Sequence, residues 1–168
     1  MERELKKALK KGYFENVDRK ISNKMKAIVS SGTKPEVKLR KIVKNILPKN
    51  LKIIYNAKIQ GKPDIYIPKY KLVIFCDGCF FHGCKNHGHI PSKNSKYWEK
   101  KFELNIKRDI KNNKCLRKQG YRVWRIWEHY LYNEETINRL NNILKRRFIK
   151  INQSYSESRT GRAAFSRP

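Results

Sequence analysis

The chain has 168 residues, and its 41 Lys and Arg against 14 Asp and Glu leave a formal charge of +27. That length suits one domain with room for an added arm, and 39% hydrophobic with 11% aromatic residues excludes a wholly disordered basic tail protein. The longest apolar run, Leu72–Cys76, is far short of the roughly 20 residues of a membrane span, and Met1–Lys10 lacks the apolar segment of a secretory signal. So basic a chain repels itself unless it meets a polyanion, and nucleic acid is the usual one.

Residues 1–17 read as a basic helical arm and Asp18–Val29 as a second helix. Thr33-Lys-Pro-Glu36 has the pattern of a capping box with Pro in the first turn. It opens a helix bearing Val37, Ile42, Val43, Ile46 and Leu47, which Pro48 stops. Leu51–Ile59 and Asp64–Ile67 read as strands. Pro68–Lys71 turns the chain into Leu72–Cys76, apolar throughout and so central in a sheet. After a Cys/His-rich loop, Ser95 caps a long helix with Trp98, Phe102, Ile106 and Ile110 every four residues, closed by Gly120. Tyr121–Trp127 returns as a strand, and Asn133 caps a last helix. From Ile151 the composition turns to Ser and Arg, which predicts a disordered tail over 151–168 and a folded domain over 18–150. The order of elements predicts a mixed α/β domain on a small sheet.

The hairpin carries the first chemical signal. If the chain reverses about the Tyr70–Lys71 bond, Pro68 faces Val73 and Asp64 faces Asp77. Like charges directly opposite on a sheet destabilise it, unless a divalent cation sits between them. A carboxylate pair holding Mg²⁺ in a basic protein suits phosphodiester cleavage. The ordinary reading is that Asp64 and Asp77 are turn residues.

The second signal is a run of 14 residues, Cys76 to His89, that holds six of the eight Cys and His in the chain. This concentration reads as a metal site before it reads as disulfides. Zinc takes four such ligands, and two sets are open. Cys76, Cys79, Cys84 and His89 have nearly the spacing of a zinc knuckle. Alternatively Cys79, Cys84 and His87 are closed by a remote residue, His129 or Cys115. In that second set His82 is left over, five residues after Asp77, where a neutral imidazole could take a proton from an attacking water.

Together, Gly61-Lys-Pro-Asp64, Val73-Ile-Phe-Cys-Asp-Gly-Cys-Phe-Phe-His82 and Trp124-Arg-Ile-Trp-Glu128 resemble the very-short-patch-repair (Vsr) endonucleases. Asn105-Ile-Lys-Arg-Asp109 and Asn23-Lys-Met-Lys-Ala-Ile28 add to the match, which runs from about Asp18 to His129. The resemblance implies a restriction-endonuclease-like α/β fold: a three-layer core with a small central mixed sheet flanked by helices, and a structural zinc loop. It implies a Mg²⁺-dependent enzyme that nicks one strand of double-stranded DNA beside a T:G mismatch, working as a monomer in the cytoplasm, at the nucleoid. Asp64 matches the metal-binding aspartate, with Asp77 and the Cys76 backbone carbonyl beside it. His82 matches the general base, Glu36 a glutamate that orients that histidine, and Asp109 a helix aspartate bordering the site. Cys79, Cys84, His87 and His129 fall at the zinc positions, although Cys84 and His129 exchange the usual ligand types and His87 is one position late, which keeps His89 open. Asp77 departs from the many members that carry a second histidine there. Phe80, Phe81 and Trp98 fall where the family wedges aromatics into the base stack, with Lys62, Lys93 and Lys96 as basic DNA contacts. A restriction-type or junction nuclease of other selectivity, and a non-enzymatic zinc-containing nucleic-acid-binding module, are the competing expectations.

Overall fold

The computed structural model describes residues 31–92 and 94–164. The expected helices before Val29, and Lys93, lie outside the described residues. Helix α1, Lys34–Ile46, begins where Thr33 takes an extended conformation with Pro35 in the first turn. The reciprocal capping box does not form. The Thr33 side chain caps no backbone N–H of the helix; its hydroxyl instead donates to the Glu36 carboxylate at 2.9 Å, which also accepts the Gly32 amide at 2.6 Å. The helix buries Leu39 and Val43, followed by Leu47, while Val37 is exposed.

Strands β1 (Ile54–Tyr55), β2 (Ile65–Ile67), β3 (Leu72–Asp77) and β4 (Arg122–Trp127) form one sheet in that spatial order. The strand expected over 51–59 shrinks to two residues because Asn56 adopts a left-handed φ of 49°, which ends the ladder. β1, β2 and β3 are antiparallel, and β4 joins β3 in parallel. Parallel neighbours need a long crossover, which helix α2 (Ser95–Lys118) and the preceding loop supply. Gly120, at φ 80°, turns the chain from α2 into β4.

β3 is buried on both faces, as its apolar run predicts. On one side Ile65, Ile67, Leu72 and Ile74 pack with Leu39 and Val43 of α1 and with Leu140, Leu144 and Phe148 of helix α3 (Glu134–Ala164). On the other, Val73 and Phe75 pack with Leu116 of α2. Helices on both faces of a small mixed sheet make the three-layer α/β core of a restriction-endonuclease-like fold.

Two expectations fail for geometric reasons. The four-residue stripe on α2 does not stay buried: Phe102 is 8% exposed, but Ile106 is 41% and Ile110 61%. Steps of four overrun an α-helical turn by about 40° each, so the row winds off the face. Phe102, Asn105 and Leu116, spaced three and then eleven residues apart, about one and three helical turns, are the buried positions. The last helix also does not stop near 150, since α3 continues to Ala164. Ile151 is 7% exposed in the main core, Tyr155 sets its ring edge-on to Tyr70, and the Tyr70 hydroxyl donates to Asn152 at 3.0 Å. Polar composition alone conceals this anchor, because only one face of the helix needs apolar residues. We expect Ile151→Ala to cost about 2–3 kcal/mol of stability, read as a fall in Tm; an unchanged Tm would place Ile151 outside the core.

Candidate active site and metal centre

The hairpin turn Pro68–Tyr70 is one turn of 3₁₀ helix closed by Lys71 at φ 46°. The reversal is therefore centred one residue earlier than expected. Ile67 faces Leu72 and Ile65 faces Ile74, a register two residues away from one that sets Asp64 opposite Asp77. A shift of two keeps every side chain on its face but changes its neighbour. Asp64 now lies beside the middle of β3, where its Oδ2 accepts the Cys76 amide at 2.7 Å. Burial outweighs that hydrogen bond and pushes the Asp64 carboxyl up to about 6, with Glu36 and Asp77 adding negative charge. A half-buried carboxylate with further acids around it is a site that a hard divalent cation would stabilise.

Asp77 ends β3 and is 4% exposed. Both its oxygens are held by Arg125 of β4, Nε to Oδ2 at 2.6 Å and Nη2 to Oδ1 at 2.5 Å. His82 follows in the turn after β3, and its Nδ1 lies 2.6 Å from Asp109 Oδ2 on α2. Burial raises the Asp109 carboxyl, but the His82 hydrogen bond and then the Arg125 charge outweigh it and hold it below its usual range. The structure thus gives His82 to Asp109, whereas Glu36 bonds Gly32 and Thr33 and lies 3.5 Å from Arg40. Arg125 and Asn105 lie in motifs that resemble the family, but neither carries an expected role in the site. Asn105 is 6% exposed and donates to the Phe81 carbonyl at 2.8 Å, tying the turn to α2. Its sequence signals are that motif and the spacing of Asn105 to Asp109 on one helix face.

Aromatic rings close one side. Phe80 meets Phe81, Trp98 and Phe102 edge-on with centroids 4.8–5.2 Å apart. Phe80 is thus an anchor of the loop on α2, while Phe81 has Phe80 and, at 6.5 Å, Trp98 beside it and is partly exposed. Lys62 and Lys96 are exposed.

Beyond Gly78 the loop builds a second cluster. Donor atoms of Cys79, Cys84, His87 and His129 all lie within 4.8 Å of one another. Cys79 Sγ is 3.1 Å from His129 Nδ1, and Cys84 Sγ is 3.6 and 3.7 Å from the Nδ1 atoms of His129 and His87. The remote-ligand set is therefore the one brought together. Cys76 packs against the main core, and His89 lies beside the Phe80 ring. Burial pushes the Cys79 thiol up to about 11; Cys84 is lowered despite burial by its bonds to His87 and the backbone. Two close thiols that cannot ionise together without a cation, with two imidazoles, fit a tetrahedral metal ion. The loop's path depends on Gly88, where a Cβ would meet the Cys84 carbonyl oxygen at 2.7 Å and its nitrogen at 2.8 Å. Glu128 steadies the entry by accepting the Cys79 amide at 2.6 Å.

A family model described as DNA mismatch endonuclease Vsr matches residues 14–88. The type II nicking enzyme V.NmeAIP of Neisseria meningitidis is 43% identical over 69% of this chain and 85% of its own length. The chain belongs to the Vsr family. The type II nicking enzyme V.NaeI of Lentzea aerocolonigenes is 39% identical over 64% of this chain and 67% of its own. DNA mismatch endonuclease Vsr of Escherichia coli K12 is 32% identical over 50% and 54%. Vsr-family proteins are endodeoxyribonucleases, and a nuclease of this kind works with a divalent metal. Among the described residues, no helix is long and apolar enough to cross a membrane.

The geometry separates the two ligand sets by experiment. Cys79→Ser and His129→Ala should each lose bound metal, measured by elemental mass spectrometry, whereas Cys76→Ala and His89→Ala should retain it. Gly88→Ala should behave like a ligand loss, since its Cβ meets backbone and nothing flexible can give way.

Proposed function

We propose that the protein is a Mg²⁺-dependent DNA endonuclease that nicks one strand of a duplex beside a T:G mismatch. The observation that carries this reading is the half-buried Asp64 carboxylate, bonded to the Cys76 amide near the end of β3 and exposed to the Asp77 charge, with the His82–Asp109 pair following where His82 Nδ1 lies 3.8 Å from Asp77. Asp64 and the Cys76 carbonyl would hold Mg²⁺, which stabilises charge on the phosphate and makes a bound water more acidic. Asp109 at Nδ1 favours the His82 tautomer protonated there, leaving Nε2 to accept the proton of the attacking water. Glu36 adds to the negative field on Asp64. The two-thiol, two-imidazole cluster suits Zn²⁺ in a structural role, tying the loop that carries His82 to the end of β4.

Relatives named as nicking enzymes support cleavage of one strand, and the family's description as mismatch endonuclease supports a mispair as the target. Phe81, beside Trp98 at the rim, is the ring suited to enter the base stack, where unstacking costs least at a mispair. Lys62, Lys93 and Lys96 would neutralise phosphates on double-stranded DNA, so binding should weaken steeply with salt. One site per chain suits a monomer acting on one strand.

A strand-labelled duplex, with and without T:G and with and without Mg²⁺, tests the reading. Asp64→Asn should lower nicking by at least about 100-fold while DNA binding persists. Equal cutting of matched, T:G and branched duplexes would favour a restriction-type or junction nuclease instead. Unaltered nicking by Asp64→Asn would remove the catalytic assignment.

Asp64 also predicts a stability effect of definite sign. Its carboxyl binds a proton more tightly in the folded protein, at about 6, than the ordinary 3.8. That contribution is stabilising below about pH 4 and is lost as pH rises through 6. In protein stripped of divalent metal, Asp64→Asn should therefore raise stability at pH 8 by on the order of 1–2 kcal/mol. The gain, read by thermal unfolding, should shrink toward zero at pH 4.

A further inference from the structure

Arg125 meets Asp77, Asp109 and His82 at the site, and the sequence reading gave it no role. Its position follows from the parallel register, in which Phe75 faces Arg125 and Asp77 faces Trp127. Phe75, Asp77 and Arg125 therefore share the sheet face that α2 covers. The guanidinium lies over the Phe75 ring at 4.9 Å from its centroid. It donates twice to Asp77, and its Nη2 is also 3.1 Å from Asp109 Oδ2 and 3.5 Å from His82 Nδ1. Nη1 reaches Asn113 Oδ1 of α2 at 3.3 Å. One planar cation thus joins β3, β4, α2 and the turn bearing His82.

We propose that Arg125 is the positioning residue of the cleavage site, and that Asp77 serves as its anchor rather than as a metal ligand. This inference rests on the nuclease reading above and changes the role of Asp77 within it. The geometry is specific: a carboxylate that accepts both bonds of a guanidinium fork leaves its most favourable lone pairs occupied. Burial works against the Arg125 charge, but the Asp77 hydrogen bonds and the Asp77 and Asp109 charges outweigh it and raise its affinity for the proton. With Asp77 held by the fork, Asp109 Oδ2 lies between Arg125 Nη2 and His82 Nδ1 and holds the His82 ring from Nδ1. Arg125 therefore acts on the reaction only through the orientation of Asp109 and His82. Asp64 stands outside this network, with its own bond to the Cys76 amide.

The test separates positioning from DNA binding and from metal binding. Single-turnover nicking with DNA and Mg²⁺ both saturating should fall roughly 30–100-fold in Arg125→Met, the size expected of a displaced proton acceptor. The DNA Kd should move less than about threefold, because the side chain is turned into the protein. Arg125→Lys should recover part of the rate, as a charge without the fork. Asp77→Asn should lose the same factor as Arg125→Met, and the double variant should be no slower than either. The Mg²⁺ half-saturation should be unchanged throughout. A raised Mg²⁺ requirement in Asp77→Asn would return Asp77 to the metal. Wild-type rate in Arg125→Met, or a loss confined to Kd, would also overturn the proposal. Circular dichroism and zinc content check that each variant folds. A readout without cleavage separates this inference from the nuclease reading: one arginine Nε–H should exchange slowly with water by NMR and lose that protection in Asp77→Asn. No protected signal in the wild type would overturn the anchor directly, whatever the DNA assay gives.

Discussion

The parallel pairing of β3 with β4 is the constraint on which the rest of this molecule depends. With Asp77 facing Trp127, both strands end at the same level, and each continuation then meets the other. Two residues on, Cys79 reaches His129 and builds the metal cluster. Two residues back along β4, Arg125 reaches Asp77 and joins it to α2. Ligands and reacting groups gather at the carboxyl ends of parallel strands because that is where chain segments diverge and leave room. A one-residue slip would turn Arg125 and Asp77 to opposite faces and separate both sites at once.

Electrostatics divides the same way. The excess of 41 bases over 14 acids sets up a field that favours any polyanion. The acids that carry chemistry are the exceptions drawn in from the surface, Asp77 buried and Asp64 and Asp109 half-buried. Of four Asp in the chain, Asp64, Asp77 and Asp109 sit around β3 and α2, and each has a different partner. Among the described residues, Asp64 accepts a hydrogen bond from a backbone amide alone and is left with an elevated proton affinity; Asp77 has a guanidinium; Asp109 has both an imidazole and that guanidinium. Burial gives each partner its weight, since a charge pair in a dry site is screened far less than one on the surface.

Much of this was legible in the chain. The apolar run Leu72–Cys76 marks a strand buried on both faces, Gly120 marks the turn out of α2, and Asn133 caps α3 by accepting the Thr136 amide at 2.8 Å. The Cys and His crowded into one stretch mark a metal loop. Other features were hidden for physical reasons. Hairpin register depends on a single left-handed residue, Lys71, that no composition announces. The inner face of α2 follows 3.6 residues per turn, so an apolar row at every fourth position misidentifies it. The helix beyond Ile151 looks like tail because one buried face suffices to hold it.

The sequence by itself determined the polyanionic class of partner, the α/β order of elements, the candidate metal ligands of the loop and the residues that resemble the Vsr endonucleases. Those properties reside in composition, periodicity and local spacing, which survive without knowing which strands touch. Only the tertiary structure decided which of the two ligand sets assembles, which carboxylate meets His82, and that Arg125 stands between Asp77 and Asp109. Each of these rests on contacts between residues 16 to 50 positions apart, made through strand register and helix docking. A linear spacing carries no information about such contacts until the sheet has set the distance.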